Sequence, residues 1–353
     1  MPGQLVRGRG AASNAMGRFE PSLRLGYEDG WAAPEPQVLR TEVRLERARS
    51  ALSYNTSPDL PFDRSINPYR GCEHGCAYCY ARPSHAFLNL SPGLDFETRL
   101  IARPGIGAVL DRELRVRSYA AAPIAIGTNT DPYQPVEAEH RVMREVMEVL
   151  QAFRHPVAIT TKGALIERDL DLLGPMGRAG LVRVGISMTT LDAGLSRALE
   201  PRAPAPLRRL QMIRRLTEAG VPVRLMLAPV IPGLTEDEME AIMGAAHAAG
   251  AVAASWILLR LPGEVDGLFR DWLTRHAPGR AGKVMARLAE LHGGQSYDPA
   301  FGVRMRGRGV WAALLAKRFD LARGRLGLSV TQPPLRTDLF RPPARPGDQL
   351  SLF

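Results

Sequence analysis

Apolar residues along most of this chain change between two spacings, and the changes mark its elements. Over residues 142–153, Val142, Met143, Val146, Met147, Leu150 and Phe153 recur three or four apart, as one buried helix face requires. Short apolar runs bounded by turn residues flank it at 123–127 and 157–160 and read as strands. The rhythm continues with a helix over 165–173, a strand at 181–187 and a helix over 207–219. Next come a strand at 221–229, a helix over 234–249 and a strand at 255–259. Upstream, a strand near residue 67, a strand at 96–102 and a short helix at 107–116 complete the pattern. Strands alternating with helices predict an α/β protein, a parallel sheet with helices outside. About six such units are fewer than the eight of a closed barrel, and ligands gather at the carboxyl ends of such strands.

The two ends read differently. Residues 1–40 are rich in Gly, Ala, Arg and Pro without sustained period and are expected to form a mobile arm. Residues 38–63 read as an irregular layer leading into a main domain that spans 41–300. From 301 to 330 the chain is basic, with a helix expected at 311–321. From Thr331 prolines recur, which predicts a semi-rigid tether.

The formal net charge is +10, and residues 301–353 hold ten Lys or Arg against three Asp or Glu. A polyanionic partner fits this excess; so does a merely solvated basic face, because arginines far outnumber the three lysines, Lys162, Lys283 and Lys317. The alternating Arg304, Arg306 and Arg308 are candidate phosphate contacts, or the solvent face of a strand. No apolar run approaches the roughly 18 residues of a membrane span, so a cytoplasmic, reducing location is expected, with no membrane partner.

All three cysteines lie in one stretch, Gly71-Cys72-Glu73-His74-Gly75-Cys76-Ala77-Tyr78-Cys79-Tyr80. Three thiols so spaced can converge on one soft metal centre, one ligand short of a four-ligand site. Structural zinc would need His74 or His85 as well, and neither has finger spacing. A disulfide would orphan one thiol in a chain with no sign of secretion. Iron and sulfide fit best, since Gly71 and Gly75 suit a tight loop wrapped around a cluster.

Cys72-x3-Cys76-x2-Cys79 with Tyr80 directly after resembles the signature of the radical S-adenosylmethionine (SAM) enzymes. The longer run from Asn67-Pro68-Tyr69-Arg70 to Tyr80-Ala81 resembles relatives of spore photoproduct lyase, which reverse a thymine photolesion. The resemblance implies a partial (β/α)6 barrel with N- and C-terminal extensions. It also implies a [4Fe-4S] cluster on Cys72, Cys76 and Cys79, whose open iron chelates SAM, and an external electron donor whose electron yields a 5'-deoxyadenosyl radical.

By the same resemblance Thr128, Asn129, Thr130 and Asp131 fall where the family contacts the methionine moiety, although Asp131 also reads as a helix cap. Lys162 follows a strand and suits the cofactor carboxylate, or solvent. Ser187 falls near the ribose. Glu200-Pro201-Arg202 resembles a Glu-Pro of these relatives, with Arg202 alternatively paired to Glu200. Those lyases return a hydrogen atom from a further cysteine close after the second strand; here that region reads Ile126-Gly127-Thr128. Tyr78 and Tyr80 match family tyrosines and are candidate hydrogen-atom donors, Tyr80 also a candidate adenine contact. The remaining histidines, His140, His155, His247, His276 and His292, show no ligand spacing.

The chain ends Gln349-Leu350-Ser351-Leu352-Phe353, which resembles the peptide by which bacterial repair proteins dock on the DNA sliding clamp. The expectation is therefore a radical SAM enzyme acting on DNA, lyase-like in lesion repair. The alternatives are radical modification of RNA or a peptide, and a non-catalytic iron-sulfur protein associated with DNA.

Overall fold

The structure is a computed structural model and describes residue 6 and residues 8–19, 39–330, 332 and 334–345. Ten strands are present among them: β1 Glu42–Leu45, β2 Leu52–Tyr54, β3 Arg64–Ile66, β4 Tyr69–Arg70, β5 Arg99–Ala102, β6 Ile124–Ile126, β7 Val157–Thr161, β8 Val182–Met188, β9 Val223–Val230 and β10 Ala253–Leu258. Seven build the main sheet in the order β10-β9-β8-β7-β6-β3-β2. The six from β3 to β10 run parallel, and β2 is added antiparallel at the edge. The expected α/β half-barrel of six strands is therefore what forms.

Between the strands lie the expected helices, Val142–Ala152, Leu170–Arg178, Pro206–Glu218 and Met239–Ala248. Val142, Met143, Val146, Met147 and Leu150 are fully buried against the sheet, which is why the three-and-four spacing was legible. Side chains on the strands alternate between this helix-covered face and the concave one. Val182, Val184, Ile186 and Met188 of β8 enter the core, while Arg183, Gly185 and Ser187 face the hollow.

Three expectations change. Residues 96–102 divide into a helical turn, Asp95–Thr98, and β5, which joins β1 and β4 in a separate three-stranded sheet. Part of the expected mobile arm is packed: Ala11 is buried with Leu94 and Leu268, and the Arg9 guanidinium donates to the carbonyls of Glu97 and Leu39. The proline-rich tail is likewise no free tether over 334–345. Phe340 stacks on Phe153 and meets His155 edge-on, the Arg336 and Arg341 amides donate to Gly180 and Phe153, and Arg115 donates to the Pro343 carbonyl. This strap crosses the loops that precede β7 and β8, at the end of the barrel away from the cysteines. Two further helices, Val265–His276 and Pro278–Leu291, pack against the cysteine loop and close that side. Among the described residues no helix is long and apolar enough to cross a membrane.

Candidate metal centre and cofactor cavity

The cysteine loop leaves β4 and is held by buried polar groups. Gly71 and Gly75 have φ of +78° and +65°. A Cβ on Gly71 would meet Leu100 Cδ2 at 2.5 Å, and one on Gly75 would meet Glu97 Oε2 at 2.5 Å. Only glycine fits either place without displacement. The Cys72 amide donates to the Phe96 carbonyl (2.9 Å) and the Ala77 amide to that of Leu199 (2.9 Å). Gln134 spans the loop, accepting from the Glu73 amide (2.8 Å) and donating to the Gly71 carbonyl (3.1 Å).

At the centre of the loop is Arg82, fully buried. Its Nε donates to the Cys76 carbonyl (3.0 Å), and Nη1 donates to those of Pro92 and Gly93. Nη2 pairs with the buried carboxylate of Glu97, which also accepts from the Gly10 and Ala11 amides. A buried guanidinium needs such saturation, because an unpaired charge out of water is very costly. Neither Arg82 nor Glu97 was singled out in the sequence; an arginine three residues past the last cysteine carries no signature of its own.

Cys72 and Cys76 are buried and Cys79 half-buried, all three free thiols lining one cavity. Burial pushes the Cys72 thiol up, and charge on Asp131, Cys76 and Cys79 would push it further, so the three lie within electrostatic reach of each other. Burial likewise pushes Cys76 up to about 12. Such thiols become thiolate when a bound metal supplies the positive charge. Among the described residues no three His, Cys, Asp or Glu groups are arranged to hold a single ion. Each histidine weighed as a zinc ligand has a ring nitrogen engaged elsewhere: His74 Nδ1 faces Asp131 (3.3 Å), and His85 Nε2 bonds the Arg99 carbonyl. Three free thiols facing one cavity from a glycine loop fit a polynuclear iron-sulfur cluster.

The cavity, about 890 Å³, runs from these thiols down the concave face of the sheet. Tyr78 and Tyr80 of the cysteine loop lie on its wall, with Thr128, Asn129, Thr130, Asp131, Lys162 and Ser187 at or just past the carboxyl ends of β6, β7 and β8. Several of these groups also have structural partners. Asp131 accepts from the Lys162 amide (2.7 Å), the Thr161 hydroxyl (2.6 Å) and the Tyr133 amide (2.9 Å). Burial alone would raise its carboxyl, but the His74 charge and these hydrogen bonds outweigh it and hold the group well below the usual range. Thr130 donates to the Tyr69 carbonyl, and Ser187 to that of Ala228. Tyr80 is half exposed, its hydroxyl on the Thr128 carbonyl and its ring 4.0 Å from the Arg260 guanidinium.

Glu200 lies behind the wall instead, almost fully buried. It accepts from the Tyr78 hydroxyl and pairs with the buried Arg209 guanidinium, while Lys162 Nζ sits 5.9 Å from the Tyr78 ring. It thus supports Tyr78 and does not line the cavity. Arg202 pairs with Glu73 (3.0 Å), not with Glu200. Arg209 was missed, yet it had a signal: it stands three residues before Met212 on the apolar stripe Met212, Ile213, Leu216. A charged residue on a buried stripe requires a buried partner.

Residues 66–246 match the radical SAM superfamily model. The chain belongs to the radical SAM superfamily. Its cofactors are accordingly a [4Fe-4S] cluster and SAM, and the protein is an enzyme. Its sequence relatives include uncharacterized proteins of Mycobacterium bovis and Mycobacterium tuberculosis, each 38% identical over 68% of this chain and 70% of theirs. An uncharacterized protein of Methanocaldococcus jannaschii is 24% identical over 49% of this chain and 62% of its own. In fold, this radical SAM chain is similar to a spore photoproduct lyase complexed with dinucleoside spore photoproduct. The TM-score is 0.58 at 16% identity, covering 82% of this chain and 81% of that one. A lyase variant with bound AdoMet and the same dinucleoside gives 0.58 at 17%, with the same coverage.

Proposed function

We propose that this radical SAM enzyme acts on DNA, as a lyase-like enzyme of lesion repair. One observation carries the reading: the hollow below the thiols is large and cationic, lined by Arg183, Arg224, Arg260, Arg304 and Arg306 as well as Lys162. Its two lining carboxylates are already engaged, Asp59 by Arg304 and Asp131 by His74. A cavity of net positive charge suits a polyanionic chain. The likeness to lyases bound to a dinucleoside photoproduct over most of the chain supports the same substrate class.

When bound, cluster and SAM supply a 5'-deoxyadenosyl radical after one-electron reduction by an external donor. The residues of this chain hold and orient. Cys72, Cys76 and Cys79 would grip the metal, and Asn129, Lys162 and Ser187 would orient the methionine and ribose groups. Of the two tyrosines, Tyr80 is half exposed beside Arg260 with its hydroxyl on the Thr128 carbonyl, whereas the Tyr78 hydroxyl is buried between Glu200 and Thr189. Tyr80 is therefore the candidate to return a hydrogen atom to the product radical, and Tyr78 positions Glu200 and Lys162.

Arg304 and Arg308 act in the fold rather than as free phosphate contacts, pairing with Asp59 and Asp298, and the Arg-x-Arg-x-Arg stretch is a turn, not a strand. The clamp contact through Gln349 to Phe353 falls outside the described residues and remains part of the proposal, tested by whether deleting 349–353 abolishes capture on an immobilised bacterial clamp. The reading as a whole is tested by anaerobic reconstitution with SAM and reductant. Ultraviolet-irradiated DNA is expected to raise 5'-deoxyadenosine release over intact DNA; release indifferent to any DNA would count against it.

A further inference from the structure

At the lower end of the hollow two arginines stand without carboxylate partners among the described residues. Arg183 is the second residue of β8 and Arg224 the second of β9. In the parallel register Arg224 lies beside Gly185, which shares the concave face with Arg183, so the two are diagonal neighbours on one wall. Both are half-buried and both line the cavity. Burial lowers each guanidinium, and Arg224 is lowered further by the charge of Arg183; no acid enters either balance. Arg224 Nε is buried without a hydrogen-bond partner, and its Nη2 has only a long contact (3.5 Å) to the Val330 carbonyl. Gln332, buried on the same floor, leaves its amide nitrogen without a partner as well. Arg306, also on this cavity, lies with Cζ 4.5 Å from the Trp256 ring.

A folded chain does not place two like charges side by side in a half-buried hollow, with a buried amide donor unfilled, for stability. Every one of these groups is a hydrogen-bond donor. Guanidiniums in pairs match the oxygens of phosphate bidentately, and a diffuse negative charge there relieves both the repulsion and the desolvation. Arg183 stands four residues before Ser187 on the same face, about 13 Å further into the barrel at ~3.3 Å per residue. An anion bound there would be held at the far end of the hollow from the thiols.

We propose that Arg183, Arg224 and Gln332 form a phosphate-binding floor that anchors one phosphate group of the substrate, so that the part to be attacked points toward the cluster. The proposal deepens the reading of a DNA substrate and rests on it for the source of the phosphate, a phosphodiester of the strand. A phosphomonoester of a small molecule would use the same donors.

Arg183→Gln/Arg224→Gln and Arg183→Lys/Arg224→Lys double variants separate these cases, each measured by calorimetry on the reconstituted protein. The probes are the dinucleotide TpT, its uncharged methylphosphonate analogue and inorganic phosphate. Wild type is expected to bind TpT roughly tenfold to a hundredfold tighter than the methylphosphonate, the range for one charged hydrogen-bonded group. The glutamine variant should lose that preference, and the lysine variant should keep only part of it. Neither should melt below wild type, because no native ion pair is removed. Equal TpT binding in wild type and the glutamine variant would overturn the floor while leaving the DNA reading intact. Inorganic phosphate bound by wild type and lost in the variant, with no preference for TpT, would keep the floor and overturn the DNA reading. A fall in melting temperature of the glutamine variant would show the arginines to be structural and would also overturn the floor.

Discussion

Replacing Glu97 by Ala tests what holds the cysteine loop. The carboxylate is fully buried and accepts from the Arg82 guanidinium and from the Gly10 (3.0 Å) and Ala11 (2.9 Å) amides. Without it, Arg82 keeps its backbone carbonyls but becomes a buried cation with no counter-charge, and two amides of the N-terminal segment lose their acceptor. Breaking such a pair from one side costs about 3–5 kcal/mol. Over 353 residues, at ~2.1 cal/mol/K per residue, about 4 kcal/mol corresponds to a fall in Tm of about 5 °C. Calorimetry of the reduced, metal-free protein isolates this effect from any metal stabilisation. Glu97→Gln should fall between, keeping an acceptor without the charge. Iron retained after reconstitution should drop in parallel, because the loop loses its brace. A Glu97→Ala variant melting within about 1 °C of wild type would show that the ion pair is not what shapes the loop.

Gly75→Ala should lower iron content after reconstitution by more than it lowers secondary structure, since a Cβ at φ +65° would meet Glu97 Oε2 at 2.5 Å; normal iron loading would refute the need for glycine. Tyr80→Phe should leave SAM cleavage but divert the product radical to side products, detected by mass spectrometry of the products; an unchanged product ratio would exclude Tyr80 as donor. Phe340→Ala should cost about 2 kcal/mol in urea unfolding, roughly half the figure for a fully buried Phe, because its half-buried ring covers Phe153 and His155. His155 has its ordinary value of 6.5 lowered to about 4 by burial and by the nearby Arg64 charge, with its ring bonded to the Tyr119 hydroxyl and the Pro156 carbonyl. Its folded form resists protonation, so its stability is fully present above pH 6.5 and is lost as pH falls toward about 4. The loss amounts to about 3 kcal/mol at most. Urea midpoints at both pH values should show it, and His155→Asn should reduce the pH dependence; an undiminished slope in the variant would exclude His155 as its source.

Much of the barrel was legible because the helices and strands that cover the core keep a strict period. The stripe Val142, Met143, Val146, Met147, Leu150 has no competing signal, and the expected strands near residues 124, 158, 184, 225 and 257 each appear in the sheet. The helical turn at Asp95–Thr98 was not separable from the strand that follows it, because four residues carry no helical period. The helices at Val265–His276 and Pro278–Leu291 were not anticipated, although Val265, Phe269, Trp272 and Leu273 have helical spacing and bury against the cysteine loop. The metal loop was readable from its thiol spacing, whereas its brace was not: Glu97 reaches Arg82 only because β5 folds back beside β4, a tertiary relation invisible to local pattern. The packing of residues 8–19 and 334–345 was missed for a related reason. Gly, Arg and Pro give no period, and these segments are fixed by scattered contacts, such as those of Arg9, Ala11 and Phe340, that recur at no regular spacing.

Everything proposed for this enzyme requires that Cys72, Cys76 and Cys79 hold three corners of an iron-sulfur cluster and leave the fourth for SAM. Electron paramagnetic resonance of the anaerobically reconstituted, reduced protein, recorded with and without SAM, tests it most directly when coupled to assay of 5'-deoxyadenosine. A [4Fe-4S] signal that changes on adding SAM is expected, followed by reductive cleavage of the cofactor, both lost in a Cys76→Ala variant. A tightly bound zinc ion in place of iron, or a cluster signal that SAM leaves unchanged with no 5'-deoxyadenosine formed, would contradict it.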